Sequence, residues 1–218
     1  MRTAQDIYTA YRIMPNLQQH QLRVAAVGKM ICDNFSGPLD AQSVTLACLF
    51  HDMGNIIKFD LDVFPQFWGQ EGREYWEQTK ADWIQRYGDD EHAAALAVAR
   101  EIGLPENVCT LIDETRFSRL DAAKESTSFE GKVVKYSDLR VGPFGILSME
   151  ERLEEGRKRY AEKKRYDTPD GRERYARSTE AARQIEKQIF EKCSIKPEYI
   201  TDVSAAPIIE ELRNYPIA

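Results

Sequence analysis

The chain has 218 residues, enough for one domain or one domain with an appended helical segment. Hydrophobic residues make up 42%, enough for a real core, and charged residues make up 30%, as in soluble helical proteins. A formal net charge of −6 argues against bulk nucleic-acid binding and leaves room only for a local basic pocket.

In chain order, residues 3–13 read as a short helix stopped near Pro15. A longer helix starts at Asn16, with His20, Val24, Val27, Ile31 and Phe35 recurring at three- and four-residue steps. His20 therefore shares the inward stripe of the aliphatic residues. Ser36-Gly37-Pro38 ends this helix, and Asp40 is a plausible N-cap for the next. That helix is apolar through Leu46, Ala47, Cys48, Leu49 and Phe50 and runs straight into His51-Asp52, with Gly54 read as its C-cap. The following piece, 55–68, is irregular, aromatic and interrupted by Pro65. A stretch that apolar should pack over the domain, with residues 59–68 covering one side of a pocket.

Helices follow over 71–87, from Gly88-Asp89-Asp90 through His92 to Ile102, and from Pro105 through Ile112. A linker at 126–131 precedes a helix over 132–141 that contains Asp138. Ser148 and Glu151 form a capping box for a charged helix to about Tyr166, with Glu154–Lys158 and Glu155–Arg159 as i,i+4 pairs. Thr168-Pro169-Asp170-Gly171 breaks it, a second charged helix runs to Cys193, and Pro197 and Pro207 break up the tail. No alternating strand pattern stands out. The expected fold class is all-α, with residues 1–166 as the main domain and 167–218 as a C-terminal helical extension packed on it. The charged helices between 150 and 192 read as a solvated face or a homo-oligomer contact.

Cys32, Cys48, Cys109 and Cys193 form no CxxC pair, and the first three lie in apolar helical patterns, as buried thiols in a reducing compartment do. There is no apolar leader and no run of membrane-spanning length, so the expected location is the cytoplasm, with no membrane partner.

Chemistry concentrates at His51-Asp52. An ionised Asp at the end of an apolar helix costs several kcal/mol unless a cation or strong donors compensate it. A divalent metal supplies that compensation, and imidazole with carboxylate is a ligand set for first-row metals. The chain has three histidines, His20, His51 and His92, all on predicted helices, and Asp138 is the carboxylate best placed to join them. For each of these the plainer reading is structural: a satisfied core histidine, a helix-end pair, or a surface His at a helix start.

The order His20, His51-Asp52, Asp138 resembles the HD-domain superfamily of metal-dependent phosphohydrolases, whose signature is H…HD…D on a helical bundle. The resemblance spans roughly residues 16–166, and the run SDLRVGPFGILSMEERLEEGRKRY looks like the end of the domain in bacterial nucleotide-hydrolase-type members. It implies an HD-domain helical bundle in which His20, His51, Asp52 and Asp138 hold a divalent ion (Mn, Fe, Co, Ni or Mg). It also implies hydrolysis of a phosphate mono- or diester in a small phosphorylated substrate such as a nucleotide, by attack of metal-activated water. Asp52 would be central to catalysis, with Lys58 and Arg23 as phosphate contacts ahead of Arg116, Lys135 and Arg140.

Two positions depart from the pattern. Many members have Lys directly after HD-x-G, where this chain has Asn55. Members with two metals carry two more histidines, of which only His92 is matched here; Asp113 or Glu114 stands near the place of the other. One ion and two ions both remain open. The alternatives are an HD-fold ligand-sensing or signalling module without strong catalysis, and a di-iron HD-domain oxygenase, which the histidine shortage disfavours.

Overall fold

A computed structural model describes residues 1–161 and 168–217, with 159–161 as backbone only. The fold is all-α, an HD-type helical bundle, as expected. Its centre is α3 (Ala41–Phe50), whose residues from Ser43 to Phe50 are all buried. A helix apolar on every side can satisfy itself only inside other helices. The Asp40 side chain caps it by accepting from the Ser43 backbone N–H at 3.0 Å.

Helix α2 (Pro15–Asp33) packs along α3, and Pro15 occupies its first turn, where a missing N–H costs nothing. Its Val24, Val27 and Ile31 are buried. Helix α8 (Phe129–Leu139) packs against both. The three meet at Gly28, where an added Cβ would lie 3.1 Å from Cys48 Sγ, 3.3 Å from Ser137 Oγ and 3.4 Å from a Val44 methyl. Glycine there sets the spacing of the bundle. Around this centre lie α1 (Ala4–Ala10), α4 (Gly72–Tyr87), α5 (Glu91–Glu101), α6 (Glu106–Asp113), α7 (Leu120–Glu125) and α9 (Met149–Ala161). The charged helix α10 (Pro169–Phe190) packs on α7 and α8, and α11 (Asp202–Arg213) packs on α2. One hydrophobic core runs from Ala4 to Ile217.

Several expected elements differ. Helix α8 begins at Phe129, three residues before the expected start, because the Ser128 hydroxyl caps it by accepting from the Gly131 N–H. Helix α10 stops at Phe190, and Cys193 instead bridges to Phe35. Pro207 does not break the tail: it lies inside α11, early enough to remove one backbone bond while a Thr201/Ser204 capping box holds the helix start. A two-residue antiparallel ribbon, β1 (Arg2–Thr3) with β2 (Pro216–Ile217), joins residues near the two ends. The Ser148–Glu151 box and the Glu154–Lys158 pair are present, at 3.6 Å for the pair. The Glu155–Arg159 pair and the stretch to Tyr166 lie outside the described residues. All four cysteines are free thiols, with Cys48 and Cys109 buried and Cys32 and Cys193 half-buried. No helix among the described residues is long and apolar enough to cross a membrane.

Candidate metal centre

Three packed helices each deliver part of one cluster. His20 comes from α2, His51 and Asp52 from the end of α3, and Asp138 from the last turn of α8. One ligand atom from each of the four lies within 4.8 Å of all the others. His20 Nε2 is 3.2 Å from Asp138 Oδ1 and 3.5 Å from Asp52 Oδ2. His51 Nε2 is 3.5 and 3.7 Å from the same two oxygens. An ion with bonds of about 2.1 Å needs neighbouring ligand atoms roughly 3.0–3.4 Å apart, so small adjustments would seat one.

Neighbouring groups fix the donors. The His51 Nδ1–H donates to the Cys48 carbonyl at 3.0 Å, which turns the Nε2 lone pair toward the carboxylates. That Nε2 is buried and has no hydrogen-bond partner. A buried ring nitrogen left without a hydrogen-bond partner is costly in an ordinary core, whereas a bound cation would satisfy it. Asp52 is held from two sides: Asn55 Nδ2 donates to its Oδ2, and its backbone N–H donates to Gln21 Oε1 at 3.3 Å. Neither Asn55 nor Gln21 was singled out from sequence as a support for Asp52. Gln21 is one of several polar residues at the start of α2, and its full burial beside His20 shows only in the structure.

The charges fit the same use. Burial favours a neutral His51 ring, yet the Asp52 and Asp138 carboxylates outweigh it and raise the imidazole to about 9. Burial also opposes ionisation of Asp138, but the imidazoles of His20 and His51 facing it hold its carboxyl well below the usual range. A metal bound here would have to displace the proton that His51 holds. The donor set fits a divalent ion.

Gly54 has a different role from the one expected. Its φ of −82° is ordinary, so it is no left-handed C-cap. An added Cβ would lie 2.0 Å from the Glu91 carbonyl oxygen, so glycine is needed for the start of α5 to press on the His51-Asp52 turn.

Other candidates lie outside the four-residue cluster. His92 Nε2 faces Asp113 Oδ1 at 3.3 Å, and Asp113 also pairs with Arg119 at 2.9 Å. Burial and the nearby Arg116 push the His92 pKa down, against Asp113. Lys58 Nζ reaches Glu91 at 3.1 Å, and Arg23 Nε reaches Asp202 at 3.0 Å. Lys135 is buried and donates to the Arg116 carbonyl at 2.7 Å; burial brings it down to about 8, against the pull of Asp138 and Glu114. Arg116 lies 3.9 Å from Asp90. Arg140 is also buried and works as a structural strut, donating to the Leu147 and Ile200 carbonyls and to the Tyr136 hydroxyl. The aromatic piece after Gly54 is pinned: Trp68 Nε1 donates to the Leu61 carbonyl and Trp76 Nε1 to the Trp68 carbonyl. Its Phe64 and Phe67 pack against Phe144, with ring centroids 5.9 and 5.7 Å away.

The family model described as HD domain matches residues 17–140, more than half of the chain and all four cluster residues. The chain belongs to the HD-domain family. Membership places it in a superfamily of metal-dependent hydrolases that bind divalent ions. In HD-domain terms, the matched segment holds the cluster, while α9, α10 and α11 lie beyond it. No curated protein and no solved structure matches the chain significantly.

Proposed function

We propose that this HD-domain protein hydrolyses a phosphate ester in a nucleotide or similar small phosphorylated compound. The observation that carries this reading is the buried, unpartnered His51 Nε2 facing His20, Asp52 and Asp138 within one 4.8 Å cluster. His20, His51, Asp52 and Asp138 would hold a divalent ion, one from the series Mn, Fe, Co, Ni and Mg. A bound ion of this kind supplies Lewis acidity, activating water at neutral pH and polarising a phosphoryl oxygen.

The chain's own residues do the rest. The Cys48 carbonyl keeps His51 in the tautomer whose Nε2 can bind. Asn55 leaves one Asp52 oxygen engaged and so orients the carboxylate toward the attacking water. Arg23 and Lys58 supply positive charge for the phosphoryl oxygens in the transition state; Lys58 would exchange Glu91 for substrate. Metal analysis of protein purified without chelator, then a hydrolysis screen over nucleotides with several added metals, tests the reading. Stoichiometric metal with turnover of at least one phosphate ester is expected. Metal-free protein that fails to take up any of these ions would refute it.

One observation favours the sensing alternative. Asn55 stands where many members carry Lys and is spent on Asp52, and Lys58 is paired with Glu91. Nucleotide binding without turnover in the same screen would select that reading.

A further inference from the structure

Arg23 and Asp202 lie 179 residues apart and form an ion pair through only one guanidinium nitrogen. Arg23 is one turn beyond His20 on α2, on the neighbouring part of the same helix face. Its Nε donates to Asp202 Oδ1 at 3.0 Å, and Arg23 makes no other hydrogen bond among the described residues. Both Nη groups are therefore unused, on a side chain only 20% exposed. The other Asp202 oxygen is also fixed: Oδ2 accepts from the Ile146 N–H at 3.0 Å. The chain presses on this carboxylate at Gly145, where an added Cβ would fall 2.4 Å from Asp202 Oδ2. Asp202 is the first residue of α11, outside the segment matched by the family.

A carboxylate held at both oxygens restrains the arginine at Nε and leaves its two Nη groups available. The two Nη groups then point as a fork away from the carboxylate, the geometry that binds two oxygens of a phosphoryl group. We propose that Asp202 is a positioning residue that presents the Arg23 fork to the substrate's phosphoryl oxygens, so that the C-terminal helix completes the phosphate site. The assignment rests on the phosphohydrolase reading above. It also gives α11 a role: its first turn bridges α2 to the 142–146 hairpin that follows Asp138.

The test uses the full chain, Mn²⁺ and inorganic phosphate as the probe, with phosphate affinity measured by calorimetry and thermal stability measured without metal. Asp202→Ala should weaken phosphate binding about tenfold, the value of a lost charge-assisted contact. Deleting a nearby negative charge would by itself strengthen anion binding, so a weakening separates positioning from a bulk charge effect. Gly145→Ala keeps the Asp202 charge but displaces its carboxylate, and should weaken binding in the same direction. In an Arg23→Ala background, Asp202→Ala should change phosphate affinity by less than about twofold. Equal effects of Asp202→Ala with and without Arg23, or tighter phosphate binding, would overturn the assignment, as would a fall in melting temperature with unchanged affinity. Wild-type protein that binds Mn²⁺ yet no phosphate would overturn the functional reading together with this one. Wild-type phosphate binding with independent effects of the two residues would overturn this one alone.

Discussion

Two histidine–carboxylate sites lie within this bundle, and they are built in opposite ways. At His20, His51, Asp52 and Asp138, two carboxylates face two imidazoles across 3.2–3.7 Å. At His92, one imidazole meets one carboxylate that Arg119 already neutralises, with Arg116 nearby. The first site raises the pKa of its buried histidine and the second lowers it. Residue type alone does not make a cation site; surplus negative charge aimed at one point does, and a neighbouring arginine removes it.

The comparison is most exposed to failure at Asp52. Asp52→Asn keeps size and the contact with Asn55 but removes charge the ion needs. Metal affinity should fall, and hydrolysis of the best substrate should drop by at least about two orders of magnitude in a still-helical protein. Normal metal binding with near-full turnover would erase the distinction between the two sites.

The next largest contrast is in metal content. His51→Ala should yield protein that loses its metal on desalting, whereas His92→Ala should keep the wild-type content by elemental analysis. A loss of one ion in His92→Ala would mean that His92 and Asp113 form a second metal position after all.

The smallest effect is the response to pH in chelator-treated protein. His51, raised above its ordinary 6.5, stabilises the fold fully below that value, and this contribution disappears as pH rises toward about 9. His92, lowered, works the other way: its neutral ring is favoured above 6.5, and stability is lost as pH falls through that range. NMR titration of the ring protons should therefore separate the two histidines on either side of 6.5. Two overlapping titrations would contradict the electrostatic contrast.

The four cluster residues were legible because each sits in, or directly after, a helix with a clear apolar pattern, and because their order is that of the HD signature. The same reasoning misread Gly54. A glycine after a helix normally signals a left-handed cap, but here the constraint comes from the Glu91 carbonyl of another helix, which no local pattern encodes. Pro207 misled for a related reason: the Thr201/Ser204 box and packing on α2 outweigh a single missing backbone bond. Asp202 was invisible, since its partners Arg23 and Ile146 are 179 and 56 residues away. Helix existence and donor identity are local information, whereas the supports that aim those donors come from tertiary contacts.

Gly28 gives the bundle one further property. The glycine lets α2 approach α3 and α8 at Cys48 and Ser137, and those two helices carry the other three donors of the cluster. A methyl group at position 28 would force the neighbours apart by a few tenths of an ångström and widen the cage without touching a polar atom. Mg²⁺ requires oxygen distances near 2.0–2.1 Å, while larger ions tolerate looser and more variable shells. Gly28→Ala should therefore shift the metal preference of the cluster toward larger cations, measured by competition between Mg²⁺ and Mn²⁺ for the two proteins.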